Sequence, residues 1–243
     1  MDVTLGDPFT NLAAEEAIFV LNKVPTLRVW DNQTSVIIGR AQMARFETDL
    51  EYCEEHDIPV VRRFTAGGAV YNGPGNLNWS FVAPASSDHG RIRYTRDPRQ
   101  VFSSFASIVL DALAACSVMC SFVPPNRLET KEGKISGMAA YISRDCVICH
   151  GTLLLDADLD VVSKLTGPSS SPLGGRHPRS NPAKVANAGV GRREIVARLA
   201  EAAGIEARSV PMGEEEEVLT QSLRGKYLRQ DWNLGDPFAL DNP

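Results

Sequence analysis

The run Arg62-Arg63-Phe64-Thr65-Ala66-Gly67-Gly68-Ala69-Val70-Tyr71, continued by Gly75-Asn76-Leu77-Asn78-Trp79-Ser80-Phe81, constrains this chain more than any other stretch. It sets two cations at the end of one apolar strand, turns through small residues, and opens a second apolar strand. Adjacent glycines free the backbone from Cβ clashes, so N–H groups can converge on one concavity, a seat for a phosphate or carboxylate. Arg63 beside it adds a planar, charge-assisted donor fork. Alone, a Gly-Gly pair reads as an ordinary β-turn. The second signal is a lysine about seventy residues later in another small-residue frame, Gly133-Lys134-Ile135-Ser136-Gly137. The two frames predict one anionic site assembled from two parts of the fold.

The remaining composition suits a scaffold for such a site. With 243 residues the chain can bury a sizeable core in one large domain. At 43% hydrophobic and 23% charged it is not a disordered sequence. A net charge of −5 and a pI near 5.5 argue against a nucleic-acid binder. No apolar run approaches the ~20 residues of a membrane span. Met1-Asp2-Val3-Thr4 lacks the basic and apolar regions of a signal peptide, so the expected location is cytoplasmic.

Five cysteines, an odd number in that setting, point to free thiols. Cys146-Val147-Ile148-Cys149-His150 matches a haem-attachment pattern and half a metal site. Haem attachment needs export, and a structural zinc needs a second ligand pair. The segment reads instead as an apolar strand in which cysteine is a small hydrophobe.

Periodicity places a helix over 11–22, with Glu15-Glu16 as its charged residues, and strands at Leu27–Trp30 and Val36–Ile38. Thr48-Asp49-Leu50-Glu51 reads as a capping box opening a helix to about His56. Asp97-Pro98 starts a helix with Val101, Phe102, Phe105, Ile108, Val109 and Leu113 on its core face. Long strands over 134–142 and 146–155 flank Ser143-Arg144-Asp145, and a short helix follows from Asp158. Residues 167–190 form a long loop of the functional or mobile kind. Helices are expected from about Arg192 to Ala203 and from Glu214 to Tyr227, the latter being the last. The class is α+β, with a mixed, mainly antiparallel sheet flanked by helices.

Several signals line up in order. They are Trp30 with Val36-Ile37-Ile38-Gly39-Arg40, the arginine–glycine turn, Asn76-Leu77-Asn78, Lys134-Ile135-Ser136-Gly137, and His150-Gly151-Thr152-Leu153-Leu154-Leu155 with Ala157-Asp158-Leu159. Together they resemble the lipoate–protein ligases of the biotin/lipoate ligase superfamily, from roughly residue 5 to residue 238. The resemblance implies a biotin/lipoate ligase-like fold, with 1–243 a single catalytic domain and no C-terminal accessory domain. It implies a two-step reaction: lipoate and ATP, with Mg2+, give lipoyl-AMP, and a lysine of an acceptor domain takes the lipoyl group.

By resemblance Lys134 is the catalytic residue, acting electrostatically rather than as a nucleophile. Arg63, Thr65, Gly67, Gly68, Ala69, Val70, Tyr71, Asn76, Lys134, Gly137 and Ala139 are the expected adenylate and ATP contacts. Trp30, Val70 and His150 are the expected acyl pocket, and no metal ligand is assigned. Trp30 reads equally well as core, and His150 as a residue that satisfies groups beneath the site. The chain departs from the family pattern at Thr65 (usually Ser), Ala66 (usually Gly), Asn72-Gly73 (a common His-Asp), Arg127 (Asp) and Met138 (a small residue).

The implied partners are acceptor lipoyl-domain proteins: the acyltransferase subunit of a 2-oxo-acid dehydrogenase, glycine-cleavage H protein, or a specialised lipoate-binding protein. The resemblance leaves open a separate accessory subunit for activation. It also leaves open a lipoyl or octanoyl transferase using a preformed adenylate or an acylated carrier. Thioester chemistry is disfavoured because no cysteine lies between Ser121 and Gly133. A biotin ligase is disfavoured by the missing Gly-Arg-Gly-Arg loop. Arg176, Arg179, Lys184, Arg192 and Arg193 make 167–193 basic, either to steer an acceptor or close over the adenylate, or simply as a solvated loop.

Overall fold

The computed structural model describes residues 1–21, 23–86, 90–166, 177–205 and 211–239. Its strands are β1 (Thr26–Trp30), β2 (Ser35–Ile38), β3 (Val60–Arg62), β4 (Val70–Asn72), β5 (Asn76–Pro84), β6 (Ser121–Val123), β7 (Arg127–Glu129), β8 (Lys134–Ile142) and β9 (Cys146–Leu154). Its helices are α1 (Pro8–Leu21), α2 (Leu50–Glu55), α3 (Pro98–Ala115), α4 (Leu159–Thr166), α5 (Arg192–Ala203), α6 (Glu214–Leu228) and α7 (Gln230–Leu234). A six-stranded sheet has the order β1-β5-β9-β8-β7-β6 and a three-stranded sheet the order β3-β2-β4. All pairs of the large sheet are antiparallel, and β2–β3 is parallel. This is the expected mixed, mainly antiparallel class.

Strand β5 divides the molecule. All nine of its residues are buried, and side chains alternate between the two faces of a strand. Leu77, Trp79 and Phe81 join the large core, where Phe81 stacks on Phe105 of α3 at 5.5 Å between centroids. Asn76, Asn78 and Ser80 are equally buried but belong to the opposite face. There α1 covers the sheet through Ile18 and Phe19 against Val82, Cys146 and Ile148. Cys146 and Cys149 therefore enter different clusters, as strand geometry requires of residues three apart. Burial pushes the Cys146 thiol up to about 12 and Cys149 higher still.

The differences from the sequence reading have local causes. Helix α1 starts earlier because Asp7 accepts from the Thr10 N–H at 2.8 Å and Pro8 opens the first turn. Asp49, not Thr48, caps α2, accepting from the Tyr52 N–H. Thr48 is buried, with Oγ1 3.5 Å from Cys53 Sγ. Strands β6 and β7 are too short to register as periodic runs and sit on either side of Pro124-Pro125. The helix Glu214–Leu228 is not the last, since α7 follows it. Of the loop 167–190, residues 167–176, with Arg176, lie outside the described residues. The described part is tied down: Lys134 N–H donates to Lys184 O and Ala186 N–H to Lys134 O.

Arg62 fastens the chain's end to the small sheet. It is fully buried and donates to six carbonyls: Gly39, Arg40, Gln42, Trp232, Asn233 and Gly235. Trp232 Nε1 returns a bond to Arg62 O, and Asn233 Oδ1 accepts from Arg62 N–H. Burial, assisted by nearby Arg40, lowers the guanidinium to about 10. Arg62→Met should destabilise the protein by at least about 3 kcal/mol in urea unfolding, because several buried acceptors lose their donors together. Arg62→Lys should recover little, since three ammonium donors cannot serve six carbonyls.

Candidate active site

The turn between β3 and β4 is built around the second arginine. Arg63 Nε donates to Thr65 Oγ1 at 3.0 Å, Nη1 to Ile37 O at 3.3 Å, and Nη2 to Ala66 O at 2.7 Å and Gly68 O at 2.9 Å. Its donor fork is thus directed into the turn, and burial pulls the group down to about 10 against the attraction of Glu15. Gly67 has φ +101°, and a Cβ there would lie 2.7 Å from Arg63 Nη2. Ala66 is not among the left-handed residues, so this departure adds no backbone strain.

A polar chain runs from the turn into the core. Thr65 Oγ1 lies 2.7 Å from His150 Nε2, and His150 Nδ1 lies 2.8 Å from Glu15 Oε1. The arrangement suits an Nδ1–H donated to the carboxylate and an Nε2 accepting the Thr65 hydroxyl. Glu15 is buried on α1, contrary to its expected place on a charged helical face. Its Oε2 and the Trp30 Nε1 are buried without hydrogen-bond partners among the described residues.

These elements surround a cavity of about 570 Å³ between the two sheets, a size suited to a small-molecule ligand. Leu12, Glu15, Trp30 and Ile37 form one wall, and the turn from Ala66 to Val70 a second. Lys134, Gly137, Met138 and Ala139 of β8, His150 to Thr152 of β9, and Asn126-Arg127 form a third. Lys134 Nζ would sit 3.0 Å from a Cβ at Gly137, so the missing side chain is the space the ammonium uses. Burial lowers the Lys134 pKa first, then neighbouring Arg127, with Glu129 opposing and Arg63 adding to the decrease.

The segment after residue 177 lies across the turn. Ser180 Oγ accepts from Ala69 N–H at 2.7 Å and from Gln42 Nε2 at 3.1 Å. Glu47 holds the segment, accepting from Arg179 Nε at 3.1 Å and Ser180 N–H at 3.0 Å. Arg179 is thereby paired, as is Arg192 with Asp2 and Asp31. Of the basic residues proposed for steering, Lys184 and Arg193 are exposed.

Ten of the sequence-expected residues border the cavity: Trp30, Arg63, Gly67, Gly68, Ala69, Val70, Lys134, Gly137, Ala139 and His150. Three do not. Thr65 lies behind the wall on His150, and Asn76 is buried near Asn78, its Nδ2 at 3.4 Å from Asn78 Oδ1. Tyr71 donates to Pro74 O and borders a smaller adjoining pocket of about 40 Å³ that shares Val70, Lys134 and Gly137 with the cavity wall. Sequence reading missed Glu15 and Ser180 as wall residues, because each is placed by tertiary packing and stands in no distinctive local pattern, and from Asn76-Leu77-Asn78 it chose Asn76 where Asn78 is the one on the wall. None of the five cysteines borders the cavity.

Solved structures with this fold include a bi-partite lipoate protein ligase from Thermoplasma acidophilum, described with its E2 lipoyl domain. It has TM-score 0.81 and 26% identity, covering 100% of this chain and 96% of that one. A lipoate-protein ligase A bound with ATP gives TM-score 0.81 and 27% identity, with 97% of each chain covered. The architecture is that of the lipoate ligases. The lipoyl protein ligase A/B catalytic domain family matches residues 7–191, and the chain belongs to it. Lipoate–protein ligase 1 of Staphylococcus aureus is 29% identical over 96% of this chain, which spans 64% of that relative's length. Lipoate-protein ligase A subunit 1 of Thermoplasma acidophilum is also 29% identical over 96% of the chain, which spans 94% of it.

Two outcomes follow from the geometry around Lys134. A depressed lysine pKa means that the ammonium loses its proton at lower pH than a free lysine. Pyrophosphate affinity, measured by calorimetry, should therefore fall on the alkaline side below the ordinary lysine range, and Lys134→Arg should remove that limb. Gly137→Ala should weaken pyrophosphate binding by about tenfold while leaving thermal stability within a few degrees, because the methyl displaces only the flexible end of Lys134.

Proposed function

We propose that this chain is a lipoate–protein ligase catalytic domain that activates lipoate with ATP and transfers the lipoyl group to a lysine of an acceptor lipoyl domain. The observation that carries this reading is the convergence of Lys134 and the amide-rich Gly67–Val70 turn on one cavity with a mainly apolar wall of Leu12, Trp30 and Ile37 that also holds Glu15. In the first step a lipoate carboxylate oxygen attacks the α-phosphorus of ATP. A new P–O bond forms as the bond to pyrophosphate breaks, and lipoyl-AMP results. Negative charge gathers on the phosphoryl oxygens, where a partly desolvated ammonium is most effective. In the second step the neutral acceptor amine attacks the acyl carbon of this mixed anhydride, the C–O bond to AMP breaks, the new amide nitrogen releases a proton to solvent, and the charge on the departing AMP phosphate is again offset by Lys134.

The acyl chain lies along the apolar wall in this reading, with Val70 beside it and Trp30 and His150 at its far end. The acceptor is a 2-oxo-acid dehydrogenase acyltransferase subunit, glycine-cleavage H protein or a specialised lipoate carrier. The reaction belongs in the cytoplasm, and Mg2+ enters with ATP as a counter-ion of its phosphates.

A second reading assigns activation to the chain together with a separate accessory protein, or assigns it transfer from preformed lipoyl-AMP only. It is favoured by the Thermoplasma relative, which is named as a subunit and almost fully spanned by this chain. Transfer through a cysteine thioester has less support, since no cysteine reaches the cavity wall. ATP–pyrophosphate exchange with lipoate separates these readings. Exchange by the chain alone supports full ligase activity. Exchange only with an accessory protein, or transfer from synthetic lipoyl-AMP without exchange, supports the second. Lys134→Ala should reduce the productive step at least about a hundredfold, and full activity in that variant would sink the role given to Lys134.

A further inference from the structure

The phosphate end of the cavity is furnished with cations and lacks free carboxylates. Arg127 of β7 borders the cavity and stands opposite Gly137 of β8 in the strand register. Gly137 is the residue over which the Lys134 ammonium lies, so Arg127 and Lys134 border the cavity from neighbouring strands, near enough for the charge of Arg127 to act on the ammonium. The like charge of Arg127 is the second cause, after burial, of the lowered Lys134 pKa. Like charges acting on each other at a half-buried wall oppose each other, and Glu129, bonded to Arg127, offsets this only in part, since the Lys134 pKa remains lowered.

Among the described residues a divalent cation has no seat there. Mg2+ takes oxygen ligands, with one or two carboxylates beside the substrate phosphates. Among the described wall residues the sole carboxylate is Glu15, which is on α1 and bonded to His150. Glu129 is engaged by Arg127 at 3.2 Å. No group of three or more His, Cys, Asp or Glu side chains among the described residues is arranged to hold a metal. Residues 167–176 contribute no acid, for their sequence contains neither Asp nor Glu.

We propose that Arg127, acting with Lys134, supplies the countercharge for the ligand's phosphate oxygens, so that this chain binds its nucleotide or acyl-adenylate without a protein-held divalent cation. Mg2+ that arrives with ATP keeps only phosphate and water ligands. The anionic ligand relieves the Arg127–Lys134 repulsion, and Glu129 holds the guanidinium in position. The proposal rests on the reading of the cavity as a nucleotide site, and its test separates the two.

The test is calorimetric binding of ATP, a sulfamoyl analogue of lipoyl-AMP and inorganic pyrophosphate, each in Mg2+ and in EDTA. The wild-type chain should bind all three in EDTA at least as tightly as in Mg2+. Arg127→Gln should lose about tenfold in affinity in both buffers, and Arg127→Lys should retain most of it. Arg127→Asp, which leaves a carboxylate beside Glu129, should bind ATP appreciably only in Mg2+. Circular dichroism and thermal melting identify any variant whose loss is one of folding. A wild-type requirement for Mg2+ of tenfold or more, or a folded Arg127→Gln with wild-type affinity, overturns the proposal. If ATP and the analogue fail to bind in either buffer, the nucleotide reading falls. Pyrophosphate then still decides whether Arg127 is the anion's countercharge.

Discussion

Two adjacent buried arginines at the end of β3 hold the structure to its function. Strand geometry sends consecutive side chains to opposite faces, and the pair uses both. Arg62 gathers carbonyls from the loop after β2 and from the chain's last helix, closing the small sheet against its C-terminal strap. Arg63 gathers carbonyls from the turn that follows it and from β2. A guanidinium is the one side chain with enough fixed donors for this work, and it keeps its charge when buried. The donors of Arg63 are taken up in and beside the glycine turn, which in the proposed reading leaves main-chain amides and Lys134 to meet the ligand.

That arrangement changes what the opening motif means. The sequence suggests that Arg63 points at an anion; the fold directs its donors into the turn. Lys134 and Arg127 border the cavity together with Arg63 and Arg179; in the proposed reading the first two carry the ligand's countercharge and the turn contributes main-chain amides. One of those amides, on Ala69, donates to the Ser180 hydroxyl, so a ligand oxygen seated there must displace that hydroxyl. The segment after residue 177 therefore forms part of the cavity wall, and its Arg179 is occupied in holding it to Glu47.

The legible part of the sequence was the local part. Long strands, capped helices and two small-residue frames leave marks within ten residues of one another, and the ordered motifs carried the family resemblance. Wall residues whose place depends on distant packing left no such mark. Glu15 looks like a solvent-facing helix acid, yet α1 lies flat on the sheet and delivers it to His150. Ser180 sits in a stretch without periodicity and is positioned by Glu47, more than a hundred residues earlier. Strands β6 and β7 were invisible for another reason: three-residue strands around a proline pair have no period to detect, although β7 carries Arg127 to the site.

The central claim is that Lys134 and the turn together hold an acyl-adenylate without forming a covalent bond to it. The direct measurement is mass spectrometry of the chain after incubation with lipoate and ATP, and separately with synthetic lipoyl-AMP, followed by gel filtration under native conditions. The expected result is near-stoichiometric lipoyl-AMP in the native complex, lost on denaturation and absent from Lys134→Ala. A lipoyl group that survives denaturation on a cysteine or on Lys134, or a wild-type chain that retains no adenylate even when it is supplied ready-made, would contradict the account.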